Sequence, residues 1–384
     1  MIEKTPIETD KSIKKSSITP DYYRDFACKG AHCRNTCCSG WTVTVSRQQY
    51  FDLIGVECHK RLRSQLDRTF HLVDYPSIER YAEIMYDHQG RCPLHRADGY
   101  CMLHKDLGET ALPSVCRSYP RGPRADYAWE SSCSNSCEKT LELLLGNNES
   151  IKFTTQDLVF DPPMASRIVS QEDQRFYLKV RDRIFSILAN RSFPLPSRIL
   201  VVGQYLMALD GDRNIDADAI DFGLPDHKPD LHAAIELMIG ISCDLKALYP
   251  RLASYCDAFA NYYQDIDRPK RYADALNHFN RILPNQEIVF EKILINHLFF
   301  SQFPFHDRSR RFSDHFRSLG GIYLLIRHLS ITSMLTHQKV DDFVDIMADM
   351  FRIISHTKFM NNVAIFLKNA NVDEFTTLAA LIQV

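Results

Sequence analysis

The spacing of apolar residues changes character about a third of the way along the chain. From residue 138 onward, apolar side chains recur at intervals of three and four, which is typical of amphipathic helices. The pattern begins at 141–145 and continues over 165–188. The same spacing predicts further helices at 196–209, 231–263, 270–283, 286–300, 310–332, 339–355, 357–369 and 373–382.

Helix-capping residues support two of these boundaries. Pro229 followed by Asp230 is expected to begin the helix at 231, and Asp373 is expected to begin the last helix.

Before residue 138 the apolar runs are short, and residues 41–45 and 80–85 are the best strand candidates. The pattern predicts a mainly α protein, in which a small cysteine-rich α+β metal-binding module is followed by an α-helical domain. The expected divisions are a flexible N-terminal tail at 1–21, the module at 22–145 and the helical domain at 146–384.

Composition and charge exclude several classes of protein. The 384 residues carry a formal net charge of −2, which gives no bulk electrostatic case for binding nucleic acid. The longest apolar runs, such as 199–209, are too short and interrupted to span a bilayer. Residues 1–21 are polar and lack the apolar stretch of an export signal. We therefore expect a cytoplasmic protein that has no membrane partner.

Cysteine clustering is the most informative chemical feature of the sequence. Ten of the twelve cysteines lie between Cys28 and Cys137. In a reducing compartment disulfides do not persist, and clustered cysteines are more often metal ligands or redox groups. Metal ligation is thus favoured over a disulfide framework or scattered buried thiols.

Four segments carry nine of these ten cysteines, all except Cys58. In the second segment, the turn signal at Asp98 and Gly99 predicts that Cys92 and Cys101 face each other across a reversal of the chain. In the fourth, Cys137 stands at the start of a helix, where the helix dipole is expected to lower the pKa of a thiol. The segments contain, in order, Cys28, Cys33, Cys37 and Cys38; Cys92 and Cys101; Cys116; and Cys133 and Cys137.

The type of metal stays open at this point, because thiolate-rich sites suit zinc and iron–sulfur clusters alike. No segment matches a zinc finger, since a second CxxC pair is missing. His95 and His104 each follow a cysteine by three residues, but a polar residue on a turn is the commoner explanation. Arg117 and Arg121 beside Cys116 could bind an anion or form plain salt bridges.

These motifs resemble a known family, the flagellin lysine-N-methylases, which belong to a wider group of cysteine-cluster proteins described as zinc- or iron-chelating. The resemblance is specific over the first 145 residues and continues to about 305, and little after 306 can be matched. It is carried by Cys28-x4-Cys33-x3-Cys37-Cys38-x-Gly40-Trp41-Thr42, Gly90-x-Cys92-Pro93, Asp98-Gly99-x-Cys101-x2-His104, Cys116-Arg117-x-Tyr119-Pro120-Arg121, Ser136-Cys137 and the run 293–305.

The resemblance implies methyl transfer from S-adenosylmethionine to lysine side chains of flagellin, with participation of an iron–sulfur cluster, expected to be 4Fe–4S, or alternatively zinc. Candidates for cofactor binding are Arg117, Tyr119 and Arg121, and no catalytic residue is predicted. Two departures from the family pattern are His95, where an apolar residue is expected, and the additional Cys133. The metal ligands implied by the resemblance are Cys28, Cys33, Cys37, Cys38, Cys92, Cys101, Cys116 and Cys137.

The residues alone give little support for methyl transfer. No glycine-rich loop follows a strand, as a Rossmann-type site would require. Common radical enzymes carry a CxxxCxxC signature, and Cys33-x3-Cys37 matches only part of it. Two alternatives therefore stand beside the methylase, namely a metal-handling protein without catalysis and a structural zinc module within another enzyme or adaptor.

An acidic stretch is suited to a cationic lysine substrate, and module tyrosines such as Tyr100 or Tyr119 could instead orient the amine. Seven aspartates fall within 21 residues, although a solvated loop between two helices is the favoured interpretation. They are Asp210, Asp212, Asp216, Asp218, Asp221, Asp226 and Asp230.

Overall fold

A computed structural model describes residues 13–160, 169–213, 215, 227–264 and 267–384. Within these residues a small α+β region precedes a mostly helical region, which confirms the predicted class. The strands are β1 Ile13–Pro20, β2 Thr44–Val45, β3 Phe70–Leu72, β4 Ala82–Ile84, β5 Arg121–Arg124, β6 Glu130–Cys133 and β7 Phe153–Phe160. The helices are α1 Arg47–Gly55, α2 Lys60–Thr69, α3 Met102–Leu107, α4 Ser114–Ser118, α5 Glu138–Leu145, α6 Gln171–Ala189, α7 Leu195–Gly211, α8 Leu231–Leu248, α9 Ala253–Tyr262, α10 Arg268–Ile282, α11 Gln286–Phe300, α12 Phe312–Ser333, α13 Val340–His356, α14 Phe359–Asn369 and α15 Phe375–Ile382.

The strands form two sheets. One has four strands in the order β5-β6-β1-β7, and the other has three in the order β2-β4-β3. Strands β2 and β4 lie within the two predicted strand segments and pair antiparallel, with Thr44 opposite Glu83. The smaller sheet thus lies within the cysteine-rich module, and the larger sheet leads from the module to the helices.

The predicted tail is wrong for residues 13–20. These residues form β1, which pairs antiparallel with all eight residues of β7 and meets β6 through Ile18 and Glu130. A polar segment such as IKKSSITP has no apolar alternation of its own, so the partner strands supply the reason for its conformation. The first twelve residues lie outside the described part of the chain.

The helices of the second half follow the apolar spacing closely, with three differences. The predicted helix at 231–263 is divided into α8 and α9, because Pro250 cannot continue a helix and instead begins a 3-10 turn. Asp230 caps α8 as expected by accepting a hydrogen bond from the backbone N–H of Ala233, at 2.9 Å. The residue before the last helix is Glu374 rather than Asp373. In the stretch predicted at 165–188, α6 begins only at Gln171, and 161–168 are not described.

Two apolar cores stabilise the described residues. The smaller core belongs to the module and contains Leu62 and Leu66 of α2, Ile84 of β4 and Leu103 of α3. The larger core contains the helices α6 to α15, and it also contains residues from the start and the end of the module, such as Tyr22 and Leu141. The module is therefore packed onto the helices at both of its ends.

No helix among the described residues is both long enough and apolar enough to cross a membrane.

Candidate metal centre and adjoining cavity

The first cysteine segment is held against the helical region by hydrogen bonds. Arg352 of α13 donates to the carbonyl oxygens of Asn35 and Thr36, both at 2.8 Å. Asp349 of the same helix accepts from the side-chain amide of Asn35 at 2.8 Å and pairs with Arg251. Because these bonds fix the backbone between Cys33 and Cys38, we name residues 33–40 the cysteine loop.

A buried carboxylate fixes the beginning of the cysteine loop to helix α5. Glu138 is 1% exposed and pairs with Lys29 at 2.6 Å. Its other oxygen accepts from the backbone N–H of Asn35 at 2.7 Å. Since Cys137 is the residue immediately before α5, this carboxylate brings the region of Cys33 towards Cys137.

The second segment reverses direction as predicted. The backbone of His95 pairs with that of Cys101, and the N–H of Cys92 donates to the carbonyl oxygen of Cys38 at 2.8 Å. Gly99 has a φ of +83°, and a Cβ at this position would lie 2.9 Å from the carbonyl oxygen of Ala31. Glycine is therefore required here by both conformation and space, and its absence of a side chain allows the first two segments to meet.

One set of four thiols consists of near neighbours from three segments. Burial raises the pKa of Cys116, and the next largest contributions come from the charges of Cys38, Cys92 and Cys101. Burial also raises the pKa of Cys92 to about 12, with further contributions from Cys38 and Cys101. We call Cys38, Cys92, Cys101 and Cys116 the inner cysteine set, because they adjoin the small apolar core.

The other four predicted ligands form a second set, the outer cysteine set, which consists of Cys28, Cys33, Cys37 and Cys137. Burial raises the pKa of Cys33 to about 12, and the charges of Glu138, Cys137 and Cys28 add to this increase. Cys28 and Cys37 are exposed. Cys37 of the outer set forms a hydrogen bond with Cys38 of the inner set, so the two sets are in contact. This hydrogen bond lowers the pKa of Cys38 to about 7.

The position of Cys137 at a helix start is as predicted, but the expected lowering of its pKa is wrong. Burial raises the pKa of this thiol and outweighs the hydrogen bonds from the backbone of Thr140 and Lys139. The additional Cys133 is fully buried at the end of β6, and burial raises its pKa as well.

The donor chemistry of the inner set fits an iron–sulfur cluster or zinc, because both take four thiolates. Within the described residues, however, no three His, Cys, Asp or Glu side chains are arranged closely enough to hold a metal ion. The ligand assignment therefore stays a prediction, although the chain brings the predicted cysteines into two neighbouring sets.

A cavity of about 350 Å³ lies beside the module, between β5, the end of α11 and the junction of α13 with α14. Its polar lining includes Arg124 of β5, His297 of α11, and His306 and Lys358 from the following turns. Its apolar lining includes Phe300. This cavity was not predicted from the sequence, because His297 and Phe300 lie in a continuous apolar run that indicates only a buried helix.

A series of aromatic contacts runs from the lining of the cavity to the cysteine-rich module. The ring of Phe300 lies 6.5 Å from that of His356, which in turn lies 4.9 Å from the indole of Trp41. Trp41 contacts Tyr119 at 4.8 Å between ring centroids. We call Trp41, Tyr119, Phe300 and His356 the aromatic wall. The hydroxyl of Ser136, next to Cys137, bonds both Tyr119 at 3.1 Å and His356 at 2.9 Å.

The three predicted cofactor-binding residues do not line this cavity. Tyr119 is part of the aromatic wall. Arg121 packs its guanidinium 4.8 Å from the centre of the Phe26 ring and donates to the Phe26 carbonyl oxygen at 3.3 Å. Arg117 donates to the carbonyl oxygen of Thr110 at 3.5 Å.

The described aspartates of the acidic stretch at 210–230 do not form a groove. Asp210 accepts from the backbone N–H groups of Phe312 and Ser313, at 2.7 and 3.0 Å, and so satisfies the start of α12. Asp230 caps α8. Asp216, Asp218, Asp221 and Asp226 lie outside the described residues.

Comparison with known proteins defines the family. The FliB lysine N-methylase C-terminal domain matches residues 181–382, which is more than half of the chain. The chain therefore belongs to the FliB lysine N-methylase family. The match extends beyond residue 306, where the sequence motifs alone gave little to compare, and it includes His297, His306 and Lys358 of the cavity.

Curated relatives agree with this family. A lysine-N-methylase from Salmonella typhimurium is 24% identical over 160 residues, covering 38% of this chain and 37% of the relative. A lysine-N-methylase from Salmonella choleraesuis is 23% identical over 160 residues with the same coverage. The flagellar biosynthetic protein FliU from Salmonella muenchen is 26% identical over 133 residues, covering 32% of this chain and 72% of the relative. The chain thus spans little more than a third of the length of the two methylases. No solved structure matches.

Proposed function

We propose that this protein methylates lysine side chains of flagellin, with S-adenosylmethionine as the methyl donor. The observation that carries this proposal is the match of residues 181–382 to the lysine N-methylase family. Relatives named lysine-N-methylase and flagellar biosynthetic protein support the reaction and the flagellar substrate, respectively.

The proposed reaction forms one bond and breaks one. The lysine ε-amine attacks the methyl carbon, a nitrogen–carbon bond forms, and the carbon–sulfur bond breaks. The bonding electrons remain on sulfur, which leaves S-adenosylhomocysteine, and the amine loses one proton to a base or to water. Only the neutral amine is nucleophilic, so the protein must favour its deprotonated form at the site.

We further propose that the inner cysteine set holds an iron–sulfur cluster, with zinc as the alternative. The charges of Cys38, Cys92 and Cys101 raise the pKa of Cys116, and all four residues adjoin the small apolar core, which suits a site protected from water. A bound cluster would supply redox chemistry or structural cross-linking. The outer set could hold a second metal or serve as structural thiols.

The second candidate function is metal handling without catalysis. The exposure of Cys28 favours it, because an exposed thiol can exchange metal with a partner. In that case the helical half would serve as a docking surface.

The test is methylation by purified protein. The full chain is reconstituted anaerobically with iron and sulfide and incubated with S-adenosylmethionine, a reductant and flagellin. We expect intact-mass increments of one methyl group on flagellin and their location on lysines by peptide mass spectrometry. A fully loaded protein that adds no methyl group to any flagellin of the source organism would contradict the proposal and favour metal handling.

A further inference from the structure

Three residues that line the cavity have buried polar atoms without a protein partner. His297 is 1% exposed, and neither of its ring nitrogens has a hydrogen bond within the described residues. Both ring nitrogens of His306 and the hydroxyl of Ser355 are also buried and unpaired in this part of the chain. Unpaired buried polar atoms cost free energy, so their position around one cavity indicates a ligand that pairs with them.

Arg124 brings a positively charged donor group to the same cavity. Its guanidinium lies 5.1 Å from the centre of the Phe300 ring, which also lines the cavity. Among the described residues, this guanidinium donates a hydrogen bond to the carbonyl oxygen of Pro123 at 3.2 Å. Because a guanidinium carries several N–H donors in one plane, the others can pair with a ligand.

The charges of the lining favour an anion. Arg124 and Lys358 are the two cations that line the cavity, and Asp126 is its one carboxylate. Burial lowers the pKa of Arg124, and the charge of Asp126 offsets this effect only in part. Burial also keeps both histidines neutral at pH 7, because it lowers the pKa of His297 to about 3 and that of His306 to about 4. The lining therefore has an excess of one positive charge.

A ligand with a single negative charge balances this excess. A carboxylate leaves the occupied cavity neutral, whereas a doubly charged phosphate makes it negative and an ammonium group adds to the positive charge. Carboxylate oxygens also match the planar geometry of a guanidinium. Phe300, Phe305 and Met360 provide an apolar surface for a carbon skeleton, and the volume of about 350 Å³ falls in the usual range for small organic ligands.

We propose that this cavity binds a small organic carboxylate. The carboxylate pairs with Arg124 inside the cavity and with the exposed Lys358 at its rim, and it accepts hydrogen bonds from the imidazole N–H groups of His297 and His306. The carbon skeleton of the ligand lies against Phe300. This inference goes beyond the proposed methyl transfer and does not depend on it.

The inference is tested with compounds that share one carbon skeleton and differ in charge. The full, reconstituted chain is titrated calorimetrically with naphthylacetate, the neutral naphthylacetamide, naphthylmethylamine and naphthylmethyl phosphate. We expect naphthylacetate to bind about tenfold more tightly than naphthylacetamide, because the amide lacks the charge that pairs with Arg124. The amine should bind more weakly than the amide, and the phosphate should bind no more tightly than the carboxylate.

Variants of the lining connect this selectivity to the cavity. Arg124→Gln and His297→Leu should each raise the Kd for naphthylacetate about tenfold, because each loses a buried hydrogen bond to the ligand. Lys358→Gln should raise it about threefold, as expected for an exposed charge pair. Arg124→Gln should also abolish the preference for naphthylacetate over naphthylacetamide, which a merely structural role of Arg124 would leave intact. Arg124→Lys keeps the charge and should retain part of that preference.

Two matched controls exclude general effects. His328→Leu removes another imidazole that is 1% exposed and unpaired among the described residues but does not line the cavity. Lys368→Gln removes a lysine in the last turn of α14, away from Lys358. Both controls should keep the Kd for naphthylacetate within about twofold of the parent value.

Several outcomes would overturn the assignment. One is the absence of binding by acetate, phenylacetate and naphthylacetate alike, and another is an equal Kd for naphthylacetate and naphthylacetamide. A Kd unchanged in His297→Leu, Lys358→Gln and folded Arg124→Gln would place the binding site elsewhere. If Arg124→Gln fails to fold, as judged by its melting profile, the other two variants decide the question.

Two further measurements examine the class and the source of the carboxylate. Tighter binding of naphthylmethyl phosphate than of naphthylacetate would contradict the carboxylate class. Flagellin should not displace naphthylacetate from the chain. Displacement by flagellin would show that an acidic side chain of a protein, rather than a free molecule, occupies the cavity, and would overturn the assignment to a small ligand.

Discussion

Arg352 lies 316 residues from Thr36 in the chain, and its Nη2 donates to the carbonyl oxygen of Thr36 at 2.8 Å. The same nitrogen donates to the carbonyl oxygen of Asn35, also at 2.8 Å, and the guanidinium lies 5.1 Å from the centre of the Trp41 ring. One side chain of α13 therefore supports both the cysteine loop and the aromatic wall. The helical half thus contributes to the conformation of a predicted metal site to which it supplies no cysteine.

Replacing Arg352 by alanine should loosen the cysteine loop. The change removes the guanidinium that donates to the carbonyl oxygens of Asn35, Thr36 and Ser39, and we expect a loss of about 1–3 kcal/mol in the free energy of unfolding. The iron content after reconstitution should fall as well, since the loop carries Cys33, Cys37 and Cys38. Arg352→Lys should recover part of the metal content, and Arg281→Ala on the exposed face of α10 is the control. Unchanged iron content and melting temperature in Arg352→Ala would contradict this role.

Serine variants should distinguish metal ligands from ordinary thiols. Cys101→Ser and Cys116→Ser in the inner set should lower the iron or zinc bound per chain, because serine is a poor ligand for either metal. Cys58→Ser and Cys243→Ser should leave the metal content unchanged. Metal is measured by mass spectrometry on protein of matched folded content. Equal metal in the inner-set variants and the controls would exclude the inner set as the site.

The helices were predictable because their apolar spacing reflects the face that each one buries. The buried residues of α10 and α14 follow that spacing. Helices α11 and α12 are instead buried on nearly every side, which agrees with the continuous apolar run of α11. Strand β1 was not predictable, because its conformation depends on pairing with β7, which lies far along the chain. Local pattern determines the helices, whereas long-range pairing determines this sheet.

The candidate site was predictable only in its cysteines. Their clustering identified the eight candidate residues, and the turn at Gly99 correctly indicated how the second segment reverses. The division into inner and outer sets depends on Glu138, Asp349 and Arg352, which have no distinguishing local signal in the sequence. The cavity depends on how β5 meets α11 and α14, and single imidazoles within apolar runs look like ordinary core residues.

Metal removal should destabilise the module. Its own apolar core is small, and structural metal sites supply on the order of 10 kcal/mol of folding free energy. Chelation, or Cys→Ser at Cys37 or Cys38, should therefore lower the melting temperature and the resistance of the N-terminal half to proteolysis. The controls are Cys58→Ser and chelator added to the already metal-free chain. An unchanged melting profile in metal-free protein would show that the small core is sufficient.

His297→Leu should leave the fold at least as stable as the parent. The imidazole is buried with both nitrogens unpaired among the described residues, and leucine removes that cost while adding apolar contact. We expect the free energy of unfolding to rise by about 1 kcal/mol, measured without ligand by denaturant titration. His328→Leu should behave similarly, since His328 is also 1% exposed. A loss of several kcal/mol in His297→Leu would mean that the imidazole has a structural partner.

Acid should destabilise the protein through its buried histidines. Burial lowers the pKa of His297, His315 and His328 to about 3 in each case. In the unfolded chain these imidazoles titrate near pH 6.5. Below that pH the unfolded state binds protons that the folded state does not, so the free energy of unfolding is highest above about pH 6.5 and decreases as pH falls towards 3. At pH 5 the unfolded state gains roughly 2 kcal/mol from protonation of each histidine.

The histidine contribution is isolated by comparing each variant with the parent at both pH values. The free energy of unfolding of metal-free protein is measured at pH 7 and pH 5 for the parent and for His328→Leu. Carboxylates and metal then contribute equally to both proteins, so the difference between their pH dependences belongs to the one imidazole. The variant should lose about 2 kcal/mol less than the parent between pH 7 and pH 5. Equal losses in the two proteins would mean that His328 is protonated in the folded state at pH 5, contrary to its burial among apolar side chains.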